Sequence, residues 1–417
     1  CDAKLEDLTV KAINSRKVSI KAIIAITVVC EELSEIQAAA GVEEDDGWHI
    51  QTLCEDVVYS ELAVNLRDNL RIKESLSVPA GEIIWEESCI KSFNSRLTDD
   101  GVSLNGEAGI FFMYIPVDES QPVQWVETTF PFEGKLDING CSEDMVSFVQ
   151  YRLISFTMEA RPDYDGENRE IAVEMVLDLS VRGYEERHQT VINDIYSPVK
   201  NITVKCDETK LKKLIVRNNG KCRVSQRVKT DRYAGIMQIC NCSGTAQIDD
   251  ISVEEDGIVI NGAVIAAVFY VTSDDAVPMG GLKAVVPFSY KLQLTSCKDM
   301  DYTLDICVEQ LSAVMTTKDE IEIKGSVSID AICFEMYTCQ AANECEITDY
   351  DEKEYLALPG IAGYISDGTQ NMWNITKKYH TTMDMIKQQN SQLSDIDDLN
   401  YRPPRGQKLL LIKTPAI

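Results

Sequence analysis

The chain has 417 residues, 44% hydrophobic and 26% charged, the composition of packed globular domains. A length of this order suits about two to four of them. Its formal charge of −28 leaves no excess of lysine and arginine to neutralise phosphates, which argues against nucleic acid and a bare anionic membrane surface; acidic solvated faces account for the charge, and a basic protein partner is permitted. Cys1 is followed within ten residues by strand-like sequence, with no polar tether of the kind a lipidated mature amino terminus leaves. The first strand pattern is "VSIKAIIAITVVCEE" from Val18, where Val18, Ile20, Ile24 and Ile26 alternate with polar or small residues. A period of two predicts a strand with one buried and one wet face.

The same pattern returns twice. "IAVEMVLDLSVRGYE" places Ile171, Val173, Met175, Leu177 and Leu179 on one face. "IEIKGSVSIDAICFE" places Ile321, Ile323, Val327 and Ile329 opposite Glu322, Lys324, Ser326, Ser328 and Asp330. All three segments end on a glutamate: Glu32, Glu185 and Glu335. A second element also repeats: "DGVSLNGEAGIFFMYI" from Asp100 and "DGIVINGAVIAAVFYV" from Asp256. Each is followed by a polar turn and another strand, "QPVQWVETTFPFEGKL" and "GLKAVVPFSYKLQL". Asn-Gly usually marks a hairpin turn. Here Asn105-Gly106 and Asn261-Gly262 interrupt one continuous apolar alternation, so a strand with a glycine-marked bulge or bend fits better. Upstream, "LRIKESLSV" from Leu70 pairs with "CRVSQRVKT" from Cys222.

These repeats predict a mainly β fold of tandem β-sandwich or barrel-like modules, each of about 130 residues and seven or eight short strands. The first complete unit covers residues 64–186 and the second 218–337. Residues 1–36 match only the closing strands of a unit, so the natural protein is expected to extend upstream. Residues 37–63 are expected as a linker, 187–217 as a connector and 338–360 as an acidic linker ending at Pro359-Gly360. The most apolar stretch, residues 258–271, is broken by Asn261 and Gly262 and reads as strand; a bilayer span needs about 20 apolar residues.

Residues 361–417 read strand, helix, helix, strand. Gly363–Ser366 supply a strand, Met372, Ile375 and Tyr379 fall at helical spacing, and "GQKLLLIK" from Gly406 closes the module. Thr381 with Asp384 has the spacing of a capping box for the second helix, and Asn371 is placed to cap the first. In so small a domain Trp373 is a packing anchor rather than a sugar platform.

"MWNITKKYHTTMDMIKQQN" and "PRGQKLLLI" give the terminal segment its resemblance to a LysM domain. The resemblance implies a shallow groove between two loops, here Thr369, Gln370 and Asn371, and Asn390, Ser391, Gln392 and Leu393. In that family the groove holds N-acetylglucosamine chains. This sequence has Thr369-Gln370-Asn371 where the family carries Gly-Asp-Thr, a change that the fold tolerates better than the glycan does. The strands "VSLNGEAGIFFMYI" and "IVINGAVIAAVFYV", with the glutamate-terminated segments, resemble the SPOCS domains of spore-coat proteins of Firmicutes. Tandem SPOCS units with one terminal LysM are similar to the clostridial spore-coat morphogenetic proteins. The resemblance implies a protein of the mother-cell cytoplasm at the forespore surface. It implies a LysM that docks a protein partner, the coat-anchoring ATPase (stage IV sporulation protein A-like), alongside other coat proteins. The alternative is an exported cell-wall protein that binds peptidoglycan.

Fourteen cysteines are scattered without a C-x-x-C pair, as in a chain kept reduced. Cys240 and Cys242 flank Asn241 on a strand and are expected on one face. His49, His188 and His380 are far apart and read as surface or packing residues. No phosphate loop, nucleophile elbow, metal spacing or other cofactor signature is found, and no catalytic residue is assigned. The Gly280-Gly281 pair reads as a turn between strands, and the acidic runs 43–46 and 395–398 as solvated loops. The expectation is therefore an adaptor without enzymatic activity and without direct membrane insertion.

Overall fold

The computed structural model describes every residue except 1, 31, 33–36, 44–46, 119–120, 163–165, 167, 231–234, 275, 296–298, 318 and 415–417. The readings on Cys1, Cys297 and the acidic run at 44–46 fall outside the described residues. The chain is mainly β and divides into two units. One holds residues 52–194 with 207–341; the other holds 1–51, 195–206 and 342–417. No helix is long and apolar enough to cross a membrane among the described residues.

The first unit contains two copies of one module. In the first copy, β3 (Gln51–Ser77), β8 (Asn168–Tyr196) and β7 (Val146–Pro162) form a sheet in that order. β4 (Ala80–Thr98), β5 (Gly101–Pro116) and β6 (Gln124–Asp137) form the facing sheet. In the second copy the sheets are β9 (Lys200–Lys229), β14 (Glu320–Asp349) and β13 (Met300–Thr317), against β10 (Ile236–Glu254), β11 (Gly257–Thr272) and β12 (Met279–Gln293). Each copy is thus a sandwich of two three-stranded sheets around one core. Six long strands replace the expected seven or eight short ones, and β-bulges bend strands such as β4 and β10 without ending them.

The alternation read from sequence is what fills these cores. Ile171, Met175, Leu177, Leu179 and Val181 are wholly buried, as are Ile323, Val327 and Ile329. Burying each such side chain stabilises by about 1.5–3 kcal/mol. β1 (Asp2–Asn14) and β2 (Lys17–Thr27) form a two-stranded antiparallel hairpin that, among the described residues, pairs with no further strand. Ile20, Ile24 and Ile26 remain largely exposed.

The Asn-Gly dipeptides lie inside continuous strands. Gly106 pairs with Phe132 and Gly262 with Phe288, and each phenylalanine ring lies over its glycine. A Cβ on Gly106 would meet the Ser92 carbonyl oxygen at 2.2 Å and the Phe132 ring at 2.6 Å. On Gly262 it would meet the Gln247 carbonyl oxygen at 2.2 Å and the Phe288 ring at 2.7 Å. The bulges themselves sit on the neighbouring strands, between Ile90 and Ser92 on β4 and between Ile248 and Asp250 on β10. A third bulge between Ile239 and Asn241 makes Cys240 the extra residue and reverses the phase of the strand. Cys240 and Cys242 therefore do not share a face: Cys240 packs with Phe111 and Met113, and Cys242 against the core of its own sandwich. Gly280 and Gly281 lie within β12 rather than in a turn; Gly280 sits under the Tyr270 ring.

The segments expected as linkers are largely strand. Residues 187–196 continue β8, 200–217 belong to β9, the linker at 37–63 is strand from Gln51, and β14 runs on to Asp349. Val191, Ile192, Ile195 and Tyr196 on β8 and Cys339, Ala341 and Ala342 on β14 are buried here, and exposed cross-strand polar pairs line the solvent side. Arg187 Nε donates to Glu61 at 2.8 Å, Asn193 Nδ2 to Glu55 at 2.8 Å, and Lys205 Nζ to Glu344 at 2.9 Å.

Within this unit the two copies meet through equivalent residues, as across a two-fold axis. Tyr151 and Cys307, 156 positions apart, bring hydroxyl and thiol to 3.0 Å. The Tyr184 and Phe334 rings, also matching positions, stack edge to face with centroids 4.8 Å apart. Arg217 bridges the copies: its Nε donates to the Ser147 carbonyl at 2.7 Å, and its guanidinium grips both Asp330 oxygens.

Candidate functional site in the carboxy-terminal module

After the short helix α1 (Glu352–Ala357), the chain forms β15 (Ile361–Ile365), α2 (Met372–Tyr379), α3 (Met383–Gln389) and β16 (Lys408–Ile412). β15 and β16 pair antiparallel, and their inner residues pack on Met372, Ile375, Met383, Ile386 and Leu393. Asn371 caps α2 by accepting the Asn374 N–H at 3.0 Å, the role read for it from sequence. Thr382, not Thr381, caps α3 by accepting from Met385 N; Thr381 still belongs to the end of α2, its N–H donating to the Thr376 carbonyl at 3.2 Å. Trp373 is 3% exposed and packs edge to face with Tyr196, as an anchor does.

The first candidate loop is built one step upstream of Thr369. Asp367 accepts the Thr369 N–H at 2.8 Å and its hydroxyl at 2.7 Å, and these two bonds hold the Asp367 carboxyl below the ordinary carboxylate value. Gly368 follows with φ +83°, a conformation that costs a side chain dearly. Ser366 ties the loop down by donating to the Pro403 carbonyl at 2.6 Å. Asp-Gly ahead of Thr369 was the available sequence signal for this turn. Of the predicted residues in this loop, Thr369 is exposed, while Gln370 and Asn371 are half-buried.

The second candidate loop splits. Asn390 is 4% exposed and serves the fold: its Nδ2 donates to the Ile386 and Leu410 carbonyls at 2.7 and 2.8 Å, and its Oδ1 accepts from Leu410 N at 2.8 Å. Leu393 is wholly buried in the module's core. Ser391 and Gln392 are exposed, and Gln392 Nε2 donates to the Lys408 carbonyl at 2.9 Å. Both loops are thus fastened to residues 403–410. The side chains left facing solvent are Thr369, Ser391 and Gln392.

An aromatic cluster that no motif in the sequence marks lies beside this module. Tyr350 and Tyr355 stack with centroids 5.5 Å apart, and the His380 ring meets them edge-on at 4.8 and 5.4 Å. Lys413 Nζ lies 4.3 Å above the Tyr355 ring, and the Tyr355 hydroxyl donates to the Thr414 carbonyl at 2.5 Å. Burial, assisted by the Lys413 charge, holds the His380 pKa below the usual imidazole value; a bond to the Pro198 backbone opposes this.

The fold thus defines a repeat protein of two-sheet β modules followed by one small strand–helix–helix–strand module. Residues 79–160 and 235–316 match the family model described as SipL, SPOCS domain. The two segments are 156 positions apart, the separation of Tyr151 from Cys307. The match thus falls once in each copy of the β module, and each copy is similar to a SPOCS domain. No curated protein and no solved structure matches the chain.

Proposed function

We propose that this chain is a non-enzymatic adaptor in spore-coat assembly, with tandem SPOCS-type modules as scaffold and a LysM-like carboxy-terminal module as the docking element. The tandem match carries this reading. The candidate partner is the coat-anchoring ATPase (stage IV sporulation protein A-like), together with other coat proteins, and the setting is the mother-cell cytoplasm at the forespore surface. Two observations favour protein over glycan. Asn390 and Leu393 are consumed by the fold, which leaves a thin set of exposed groups for a sugar. None of the twelve described cysteines is disulfide-bonded, which suits a reducing compartment better than export.

The test is capture from sporulating cells with the full chain as bait. The anchoring ATPase should be retained by the full chain and lost when residues 361–417 are deleted. Titration of the full chain with chitin and peptidoglycan oligomers runs beside it. Saturable glycan binding with no loss of ATPase capture on deletion would replace this reading with that of a wall-binding protein.

A further inference from the structure

The two-stranded sheet of the carboxy-terminal module has two edges, and one of them is closed. On β16 the outward groups of Leu410 are both taken by the Asn390 side chain, and the Lys408 carbonyl by Gln392. The register sets Leu410 opposite Gly363, Ile412 opposite Ile361 and Lys408 opposite Ile365. In an antiparallel ladder, facing residues turn their amide groups the same way, alternately toward and away from each other. Leu410 turns outward, so Gly363 does too, and with a period of two so do Ile361 and Ile365. The bonds Ser366 N to Gln407 O and Lys413 N to Gly360 O, at the two ends of the ladder, require the same alternation. Among the described residues no group closes this edge of β15. Ile361 and Ile365 are 66% and 64% exposed, and a Cβ on Gly363 would meet nothing within 4 Å.

An open edge takes another strand. The sequence of this one, Ile-Ala-Gly-Tyr-Ile from 361 to 365, is close to a palindrome about Gly363. Laid antiparallel on itself, it sets Ile361 against Ile365 of a second copy and Gly363 against its own counterpart. All three pairings then fall where backbone groups point outward, and each such pair exchanges about two hydrogen bonds. Residues 355–366 carry no charge, in a chain with 26% charged residues, so no like charges meet at the seam. Lys408 lies on β16 opposite Ile365, one strand away from the seam.

We propose that β15 is a self-pairing edge, through which two copies of this chain join antiparallel into a four-stranded sheet ordered β16, β15, β15, β16. This pairing does not depend on the docking role proposed above. The charge of −28 on each copy opposes approach, and salt screens it with a Debye length of about 8 Å at 0.15 M, so pairing tightens as salt rises.

Sedimentation of the full chain across concentration and salt tests this. The expected result is a reversible step from the 46.7 kDa monomer to twice that mass, strengthened by salt. Ile361→Arg and Ile365→Glu should each weaken pairing by about tenfold, because each sets a charge against an isoleucine at both ends of the seam, while the new carboxylate at position 365 meets Lys408 favourably within its own sheet. The double variant should recover to within about threefold of the parent, because its two new charges face each other across the seam. Both side chains are exposed, so circular dichroism of each variant should match the parent. A monomer at all concentrations overturns the proposal; so does a dimer indifferent to the single variants, and a double variant no better than the singles.

Discussion

His380 ends α2 with φ 50° and ψ 51°, a left-handed cap that places its ring against Tyr350 and Tyr355. Its folded pKa lies below its unfolded value of about 6.5, so the unfolded chain binds the proton more readily. Its contribution is present at pH above the unfolded value and is lost as pH falls toward the folded one. Urea midpoints followed by tyrosine and tryptophan fluorescence should therefore drop from pH 7.5 to pH 5. His380→Asn, which keeps a left-handed cap, should flatten that slope. Arg217 poses a different residue-scale problem. Its partner Asp330 is pushed up by burial even though the guanidinium pulls the other way, so the carboxylate depends on that cation. Arg217→Met should cost about 3 kcal/mol in a denaturant titration, because it strands a buried charge. Asn390→Ala should cost about 2–3 kcal/mol by leaving the amide and carbonyl of Leu410 unpaired, whereas Ser391→Ala should stay within about 0.5 kcal/mol. If Asn390 were chiefly a ligand residue, the order of those two stabilities would not appear.

At the scale of elements, the glycine-bearing strands show how a short motif changes meaning with its surroundings. Asn-Gly inside unbroken alternation is strand, since the glycines admit a crossing carbonyl and a phenylalanine ring where a Cβ would collide. Gly262→Ala should therefore destabilise by about 2–3 kcal/mol, and Gly106→Ala likewise. Gly281→Ala, whose Cβ would meet its nearest neighbour at 3.8 Å, should lie within about 0.5 kcal/mol of the parent. The glycines mark a bulge in the sequence but not that the extra residue lies on the neighbouring strand, because its place is defined by the partner's register, which no single segment contains. For the same reason a period of two places Cys240 and Cys242 on one face, whereas the bulge at Cys240 puts them on opposite faces. The ends of β8, β9 and β14 resemble linkers in sequence because they pair with remote segments, as Lys205 beside Glu344 shows. A pair 139 positions apart leaves no periodic trace in either segment.

For the whole molecule, the count of thiols separates a reduced chain from an exported one. Labelling in denaturant should find close to fourteen. In the native protein the exposed Cys30, Cys54 and Cys345 should react first. Cys242 and Cys307 should react only on unfolding, since burial pushes their pKa values up to about 12 and about 11 and keeps them protonated. A total near zero would sink the reducing-compartment reading. What the sequence by itself determined was the class of fold and its repetition: alternation names the buried face of a strand, and the recurrence of Gly106 and Phe132 as Gly262 and Phe288 names the copy. It also carried the helices and cap of the terminal module, because helix spacing and Asn371 act within a few residues of one another. The tertiary structure alone decided which predicted loop residues face solvent and which, like Asn390 and Leu393, belong to the core. It alone brought Tyr151 to Cys307 and left the edge of β15 open. Those outcomes depend on where remote strands lie in space, and the order of residues along one strand does not contain that information.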